Sequence, residues 1–374
     1  MNIIRKNKFL FFSLLIFMII SFISIFSASM YLSPALGKLY YKQIFWYFIG
    51  FVVIILFNKI SINVIYKYTF HIYVLNILLL LGLFFMSAIN GSKSWYIISG
   101  IGSFQPSEFM KISLILFNST IIYKFYKKEK VIPFKKELSL LIIILIIFLI
   151  PAVLTFLQPD TGAVIIYFII SFSMLFTSGI NKKWFIYISF ILIFLFSLFL
   201  VLYFFYEDMF IQIFGNSFFY RLDRLINWKN GNGMQLNNSM AAIGSSGIIG
   251  HGFNNTPIYF PEAGTDFIFT VYSSNFGLLG SIILIIFFII FDLYLISISK
   301  KVYSIQDKYT LIGIISMLIY QQIQNIGMTI GILPITGITL PFISYGGSSL
   351  LSYLLLIGIV INIVSTDKKK KAYK

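Results

Sequence analysis

The chain has 374 residues, 59% of them hydrophobic and 19% aromatic against only 11% charged, and its mean hydropathy is +0.93. No soluble globular domain of ordinary composition is built this way, and the absence of cysteine excludes a disulfide framework, a thiolate metal site and a cysteine nucleophile. The net charge of +16 would suit nucleic acid, but Lys and Arg fall in short segments between apolar runs, as topology signals do, so no nucleic-acid partner is expected.

A membrane-spanning helix needs roughly 17 to 25 apolar residues. The first such run, 9–30, follows Arg5, Lys6 and Lys8 and is too long for a secretory signal, so it reads as an uncleaved span. Further spans are expected at 42–58, 69–89, 106–124, 138–157, 161–178, 184–206, 266–298, 310–332 and 342–366. The chain is therefore expected to be an all-α membrane protein, a single polytopic bundle of about ten transmembrane helices over residues 1–374. Alternating the connecting segments between the two sides places 1–8, 59–68, 124–137, 179–183, 299–309 and the basic tail 367–374 together. Those segments hold 21 of the 28 Lys and Arg. By the positive-inside rule both termini are cytoplasmic, and the long segment 207–265 lies outside with the shorter loop at 88–105.

The cytoplasmic loops are short and contain no G-x-x-x-x-G-K-[ST] phosphate loop. Gly244, Gly247, Gly250 and Gly252 lack the G-x-G-x-x-G spacing and a βαβ setting, so no nucleotide cofactor is expected. The two histidines, His71 and His251, do not suggest a metal pair.

Ionisable groups at membrane depth are functional candidates because they are costly there. Glu108 and Lys111, three residues apart at the start of the fourth span, are expected to face each other as an ion pair, structural or functional. Asp160 lies in a tight turn after Gln158-Pro159, where turn and capping chemistry alone would justify it. Asp266 begins the longest apolar run after a polar loop, at the outer mouth of its helix where a polar cavity could form, although as a helix N-cap it would need no catalytic duty. Lys93, Arg221, Arg224 and Lys229 are cations suited to a phosphate group. Small residues in Pro341-Phe342-Ile343-Ser344-Tyr345-Gly346-Gly347-Ser348-Ser349 permit close helix packing. By themselves these residues fit a transporter and a lipid-substrate enzyme equally well.

The motifs resemble the SEDS family, the RodA and FtsW proteins of cell elongation and division. The resemblance is carried by Lys42-Gln43 with Trp46, Gly91 with Trp95, Gln105-Pro106-Ser107-Glu108-Phe109 with Lys111, Gln158-Pro159-Asp160, the segment 235–252, Thr265-Asp266-Phe267-Ile268-Phe269, and 325–349. Asn325-Ile326-Gly327-Met328 and Leu333-Pro334-Ile335-Thr336-Gly337-Ile338 look like RodA rather than FtsW. The resemblance implies the SEDS fold in the bacterial cytoplasmic (inner) membrane. It also implies a peptidoglycan glycosyltransferase that polymerises lipid II during elongation, by inverting transfer with Asp266 as catalytic base. Lys93, Trp95, Arg221, Arg224, Gln235 and Ser344 would then contact substrate. Mg2+ or Mn2+ is a cofactor some family members use. A class B penicillin-binding transpeptidase, rod-complex membrane proteins and membrane lipid would be partners. A lipid II flippase and an FtsW-like division polymerase are the alternatives. Gly264, Ser94, Ser274 and Asn275 depart from residues common in the family. As a free Asp titrates near 3.9, Asp266 is expected to be ionised at neutral pH.

Overall fold

The computed structural model describes residues 7–30, 37–88, 92–98, 102–128, 133–215, 219 and 233–372. In lipid every backbone N–H and C=O must be bonded within the protein, so apolar runs of spanning length fold as helices. Helices occur at all ten expected spans. In chain order they are α1 (Lys8–Ser29), α2 (Leu39–Phe57), the short α3 (Ile62–Lys67), α4 (Thr69–Gly82, with a 3-10 turn at Leu83–Phe85), α5 (Pro106–Lys128), α6 (Phe134–Leu157), α7 (Thr161–Phe176) and α8 (Lys182–Phe205). Then come two short helices, α9 (Glu207–Phe214) and α10 (Met234–Ser245), followed by α11 (Ile268–Lys301), α12 (Ile305–Thr329) and α13 (Gly347–Ala372). The all-α expectation misses one element. The loop before α5 folds back on itself as an antiparallel pair, β1 (Tyr96–Ile98) and β2 (Gly102–Phe104).

Among the described residues, α1, α2, α6, α8, α11 and α13 are long and apolar enough to cross a membrane, and α4 and α7 are shorter apolar helices. The 23-residue α5 and 25-residue α12 have the length but carry buried polar groups, among them Glu108, Lys111, Asn118, Gln321, Gln324 and Asn325. Their place explains this, since α12 packs against α5, α7 and α11 in the interior. Polar groups at membrane depth survive where they bond one another rather than lipid. The opposite case is α8, whose Phe190, Ile193, Phe194 and Phe196 are exposed, as side chains facing hydrocarbon would be.

The long helix α11 is broken at Gly277, where φ is +65°. The loop after α10 enters this break. Gly247 O and Ile248 O accept the N–H groups of Leu278 and Leu279, and the N–H groups of His251 and Gly252 reach Ser274 O and Asn275 O. A Cβ on Gly250 would sit 2.3 Å from Asn275 O, so only glycine permits the approach. Irregular backbone at this depth is tolerable because its polar groups are satisfied by protein. Ser274 and Asn275, two of the departures noted above, act here. The Ser274 hydroxyl faces His251 Nδ1 at 3.1 Å, and Asn275 bonds Ser27 and Thr256.

Candidate active site

A cavity of about 530 Å³ opens among the ends of α5, α7 and α13, within the usual range for ligand sites. Four carboxylates line it: Glu108, Asp160, Glu262 and Asp266. Trp46, Trp95 and Tyr345 supply aromatic walls, and Gln105, Gln321, Thr336, Thr339 and several serines supply neutral polar groups. Among the described residues no Lys or Arg lines it.

Asp266 stands in the turn just before α11. The helix-cap account fails, because the cap position falls on Phe267 and carries no side-chain cap bond. What holds Asp266 is its backbone. The carbonyls of Gly264, Thr265 and Asp266 accept, in order, from Tyr345 N at 2.8 Å, Ser344 Oγ at 2.6 Å and Asn325 Nδ2 at 2.8 Å. The same Asn325 nitrogen also donates to Ile338 O at 2.8 Å, tying the turn to the 334–340 segment. Behind that segment, Ser21 Oγ donates to Ile343 O and Gln43 Nε2 to Ser344 O, so α1 and α2 brace it. The carboxylate itself accepts no hydrogen bond from a described residue, and Gly337 lies beside it, where an added Cβ would lie 3.6 Å from Oδ2.

Burial without hydrogen bonds disfavours the charged form. That desolvation, with the nearby charges of Glu262 and Asp160, pushes the Asp266 carboxyl up to about 7. The expectation of an ionised group at neutral pH is thereby corrected: the acid titrates across neutrality.

Asp160 occupies the N-cap of α7. Its Oδ1 accepts from Ala163 N at 3.1 Å, and its Oδ2 accepts from Gln105 Nε2 and Ser107 Oγ, both at 3.0 Å. Burial raises its carboxyl, while the Ala163 and Ser107 bonds act against that. Glu108 and Lys111 form the expected pair, with Oε2 and Nζ 2.6 Å apart; Ser352 Oγ donates to the same oxygen at 3.1 Å, and Lys111 sits 5.5 Å from the Tyr353 ring centre.

The other expected contacts divide. Trp95 lines the cavity. Lys93 does not: its ammonium is exposed and donates to Phe84 O at 3.2 Å. The reason is the extended chain, in which alternate side chains point to opposite sides. Ser92 and Ser94 turn inward to Gln158 O, at 2.6 and 3.0 Å, so Lys93 between them turns outward. Ser344 is buried and does not line the cavity; it positions the Asp266 turn instead. Gln235, on α10, is likewise not among the lining residues. Arg221 and Arg224 lie outside the described residues. The divalent cation finds no convergent donor set, since among the described residues no three His, Asp or Glu side chains come together in a metal-holding arrangement.

Sequence reasoning passed over Glu262 and Gln321. Signals for both existed. Glu262 lies four residues before Asp266 in the same polar turn, and Gln321 lies one helical turn before Asn325, on the same face.

The profile of a cell cycle protein family comprising FtsW, RodA and SpoVE matches residues 7–369. The probable peptidoglycan glycosyltransferase FtsW of Wigglesworthia glossinidia brevipalpis is 37% identical, over 95% of this chain and 92% of that protein. Stage V sporulation protein E of Bacillus subtilis is 31% identical, over 73% and 72%. Among solved structures, a chain from a peptidoglycan synthase complex that coordinates polymerization and crosslinking superposes with a TM-score of 0.79, covering 96% of this chain and 98% of that one at 23% identity. The rod shape determining protein RodA of Thermus thermophilus superposes at 0.70, again at 23% identity, over 96% and 97%. With helices at all ten expected spans, its motifs in order and a family match over nearly its whole length, this multi-pass membrane protein belongs to the FtsW, RodA and SpoVE family, the SEDS proteins.

Proposed function

We propose that this protein is a peptidoglycan glycosyltransferase that polymerises lipid II, with Asp266 as the general base. The observation that carries the assignment of the base is the bare Asp266 carboxylate, rigidly held on the wall of a sugar-sized cavity and titrating near 7. A base poised near the working pH combines the right protonation state with a useful proton affinity. The sugar precursor carries a polyprenyl pyrophosphate, an activated leaving group, so polymerisation needs no nucleotide.

In the proposed step the acceptor hydroxyl oxygen attacks the donor's anomeric carbon and its proton passes to an Asp266 carboxylate oxygen. The bond from that carbon to the pyrophosphate oxygen breaks, the electron pair leaves with the pyrophosphate, and the anomeric centre inverts. Cations to meet the departing charge are sought in Arg221 and Arg224 of the external segment. A divalent cation would offset the same charge, but the described carboxylates do not form its site, so no step is routed through one.

The charge distribution supports cytoplasmic termini, an external 207–265 segment and residence in the bacterial cytoplasmic membrane. The 325–338 segment supports elongation as the process served, whereas the name borne by the 37% identical relative supports division. Complementation separates these, since loss of an elongation polymerase rounds cells and loss of a division polymerase leaves filaments. The synthase-complex neighbour supports a class B penicillin-binding transpeptidase as partner, with rod-complex proteins if elongation holds. The deciding experiment is purified protein in proteoliposomes supplied with lipid II. Glycan polymer without transbilayer movement is expected. Movement without polymer would establish the flippase reading and overturn this one.

A further inference from the structure

Two residues that line the cavity each bury a polar atom with no hydrogen-bond partner among the described residues. Gln321 is 1% exposed, and its amide nitrogen is committed, donating to Tyr353 Oη at 2.8 Å. Tyr353 Oη in turn lies 3.0 Å from Thr339 Oγ1, and with the tyrosine hydroxyl donating to that threonine its oxygen accepts the Gln321 amide N–H. The Gln321 oxygen, Oε1, is buried with no hydrogen bond, and so is Thr336 Oγ1. Both residues line the cavity that Asp266 lines. An orphaned buried acceptor is disfavoured, and a chain retains one most readily where a ligand will satisfy it.

The placement indicates which ligand. Thr336 immediately precedes Gly337, the residue beside the Asp266 carboxylate, and Gln321 joins the same segment through Tyr353 and Thr339, so both orphans belong to the wall that borders the reacting acid. The same cavity has Trp46, Trp95 and Tyr345 in its wall, rings that offer apolar faces with a polar edge. Apolar rings together with fixed neutral acceptors suit a group that is apolar on its faces and carries hydrogen-bond donors at its rim. A sugar ring with its hydroxyl and N-acetyl N–H groups has that character. A phosphate does not, because it brings acceptors and negative charge to a wall that already holds four carboxylates.

We propose that Gln321 Oε1 and Thr336 Oγ1 form a sugar subsite that accepts hydroxyl or N-acetyl N–H donors of the saccharide beside Asp266. This rests on the glycosyltransferase reading and deepens it, by assigning neutral recognition to this wall and leaving the pyrophosphate elsewhere. Binding through these atoms serves ground and transition state alike, so their loss raises KM and leaves kcat nearly unchanged.

The test uses the full chain in detergent with two probes, a short-chain lipid-linked disaccharide pyrophosphate and the polyprenyl pyrophosphate without sugar. Gln321→Leu is expected to weaken binding of the first about tenfold and to leave the second unchanged. Thr336→Val removes no internal hydrogen bond and folds even if Gln321→Leu does not; it is expected to weaken the first probe roughly three- to fivefold, again selectively. Unchanged binding of the disaccharide lipid by either folded variant, or equal loss for both probes, overturns the subsite. Turnover is not needed for this reading. Failure of the wild type to polymerise while it binds the sugar probe selectively would overturn the glycosyltransferase reading and leave the subsite standing.

Discussion

Asp160 and Asp266 line one cavity and stand in opposite circumstances. Asp160 caps α7 and has both oxygens occupied by donors from Ala163, Gln105 and Ser107. Asp266 has its backbone clamped at three successive carbonyls and its carboxylate left bare. In the first case the protein's bonds secure the side chain and join α5 to α7. In the second they secure the main chain and leave the acid's lone pairs to whatever enters. A carboxylate saturated by protein donors is poorly placed to take a proton, while a bare one in a desolvated site is raised toward neutrality and available. Two acids of the same type are thus sorted into scaffold and reagent by what surrounds them.

The comparison is tested most severely by Asp266→Asn. The amide is isosteric and cannot accept the proton, so polymerisation by the purified variant should fall by roughly 10² to 10⁴. Removing a desolvated charge should leave thermal stability at pH 8 equal or higher, a trade of stability for function. Turnover near the wild-type rate would sink the proposed base and pass the role to Asp160. The next largest effect belongs to Glu108→Gln. It strands Lys111, which is 1% exposed at its side chain, and breaking such a buried pair costs about 3–5 kcal/mol. Folded yield and resistance to denaturation should drop together with activity. Because Glu108 also lines the cavity, normal stability with lost turnover would move it into the reaction centre.

The helices at the ten expected spans were legible because an apolar run of spanning length has one stable form in lipid. The break in α11 was not, since Gly277 lies inside such a run and the groups that satisfy it come from 247–252, in another part of the chain. Asp266 could be singled out from its place between a polar loop and an apolar run. Its bare carboxylate could not, because the absence of a donor is a property of the assembled walls. The cation expectation failed at Lys93 for a local reason, the alternation of the extended chain about Ser92 and Ser94. Ser344 was read as a contact and is a brace, a distinction that depends on where Thr265 O comes to lie.

Titration sharpens the comparison further. With Asp266 raised to about 7, the base is lost as pH falls through that value, so kcat should drop about tenfold per unit below it and level off above. Stability has the opposite sign. The folded chain holds the Asp266 proton between roughly pH 4 and 7 where the unfolded chain has released it, so this group favours folding at the acidic end and loses that contribution as pH rises through 7. Melting curves of wild type and Asp266→Asn across this range should differ in slope in that sense, and a wild-type rate independent of pH from 5.5 to 8 would refute the assignment.

The smallest effect is expected at Asp160→Asn, and it separates scaffold from reagent most finely. Asparagine keeps an oxygen in place of Oδ1, so the cap on Ala163 N survives. Its NH2 replaces Oδ2 and faces two groups that both donate in the native protein. Ser107 can turn its hydroxyl to accept, but Gln105 can meet the new donor only by flipping its amide. The variant should therefore lose about one hydrogen bond to a charged acceptor, on the order of 1–2 kcal/mol of stability. Rate should follow stability, falling a few fold and recovering on cooling, and the pH dependence set by Asp266 should keep its shape with a midpoint slightly lower, because one of the charges that raises Asp266 has gone. A loss of rate as deep as that of Asp266→Asn, in a variant that melts like the wild type, would show that both acids work on the substrate and that a full set of protein donors does not mark the scaffold.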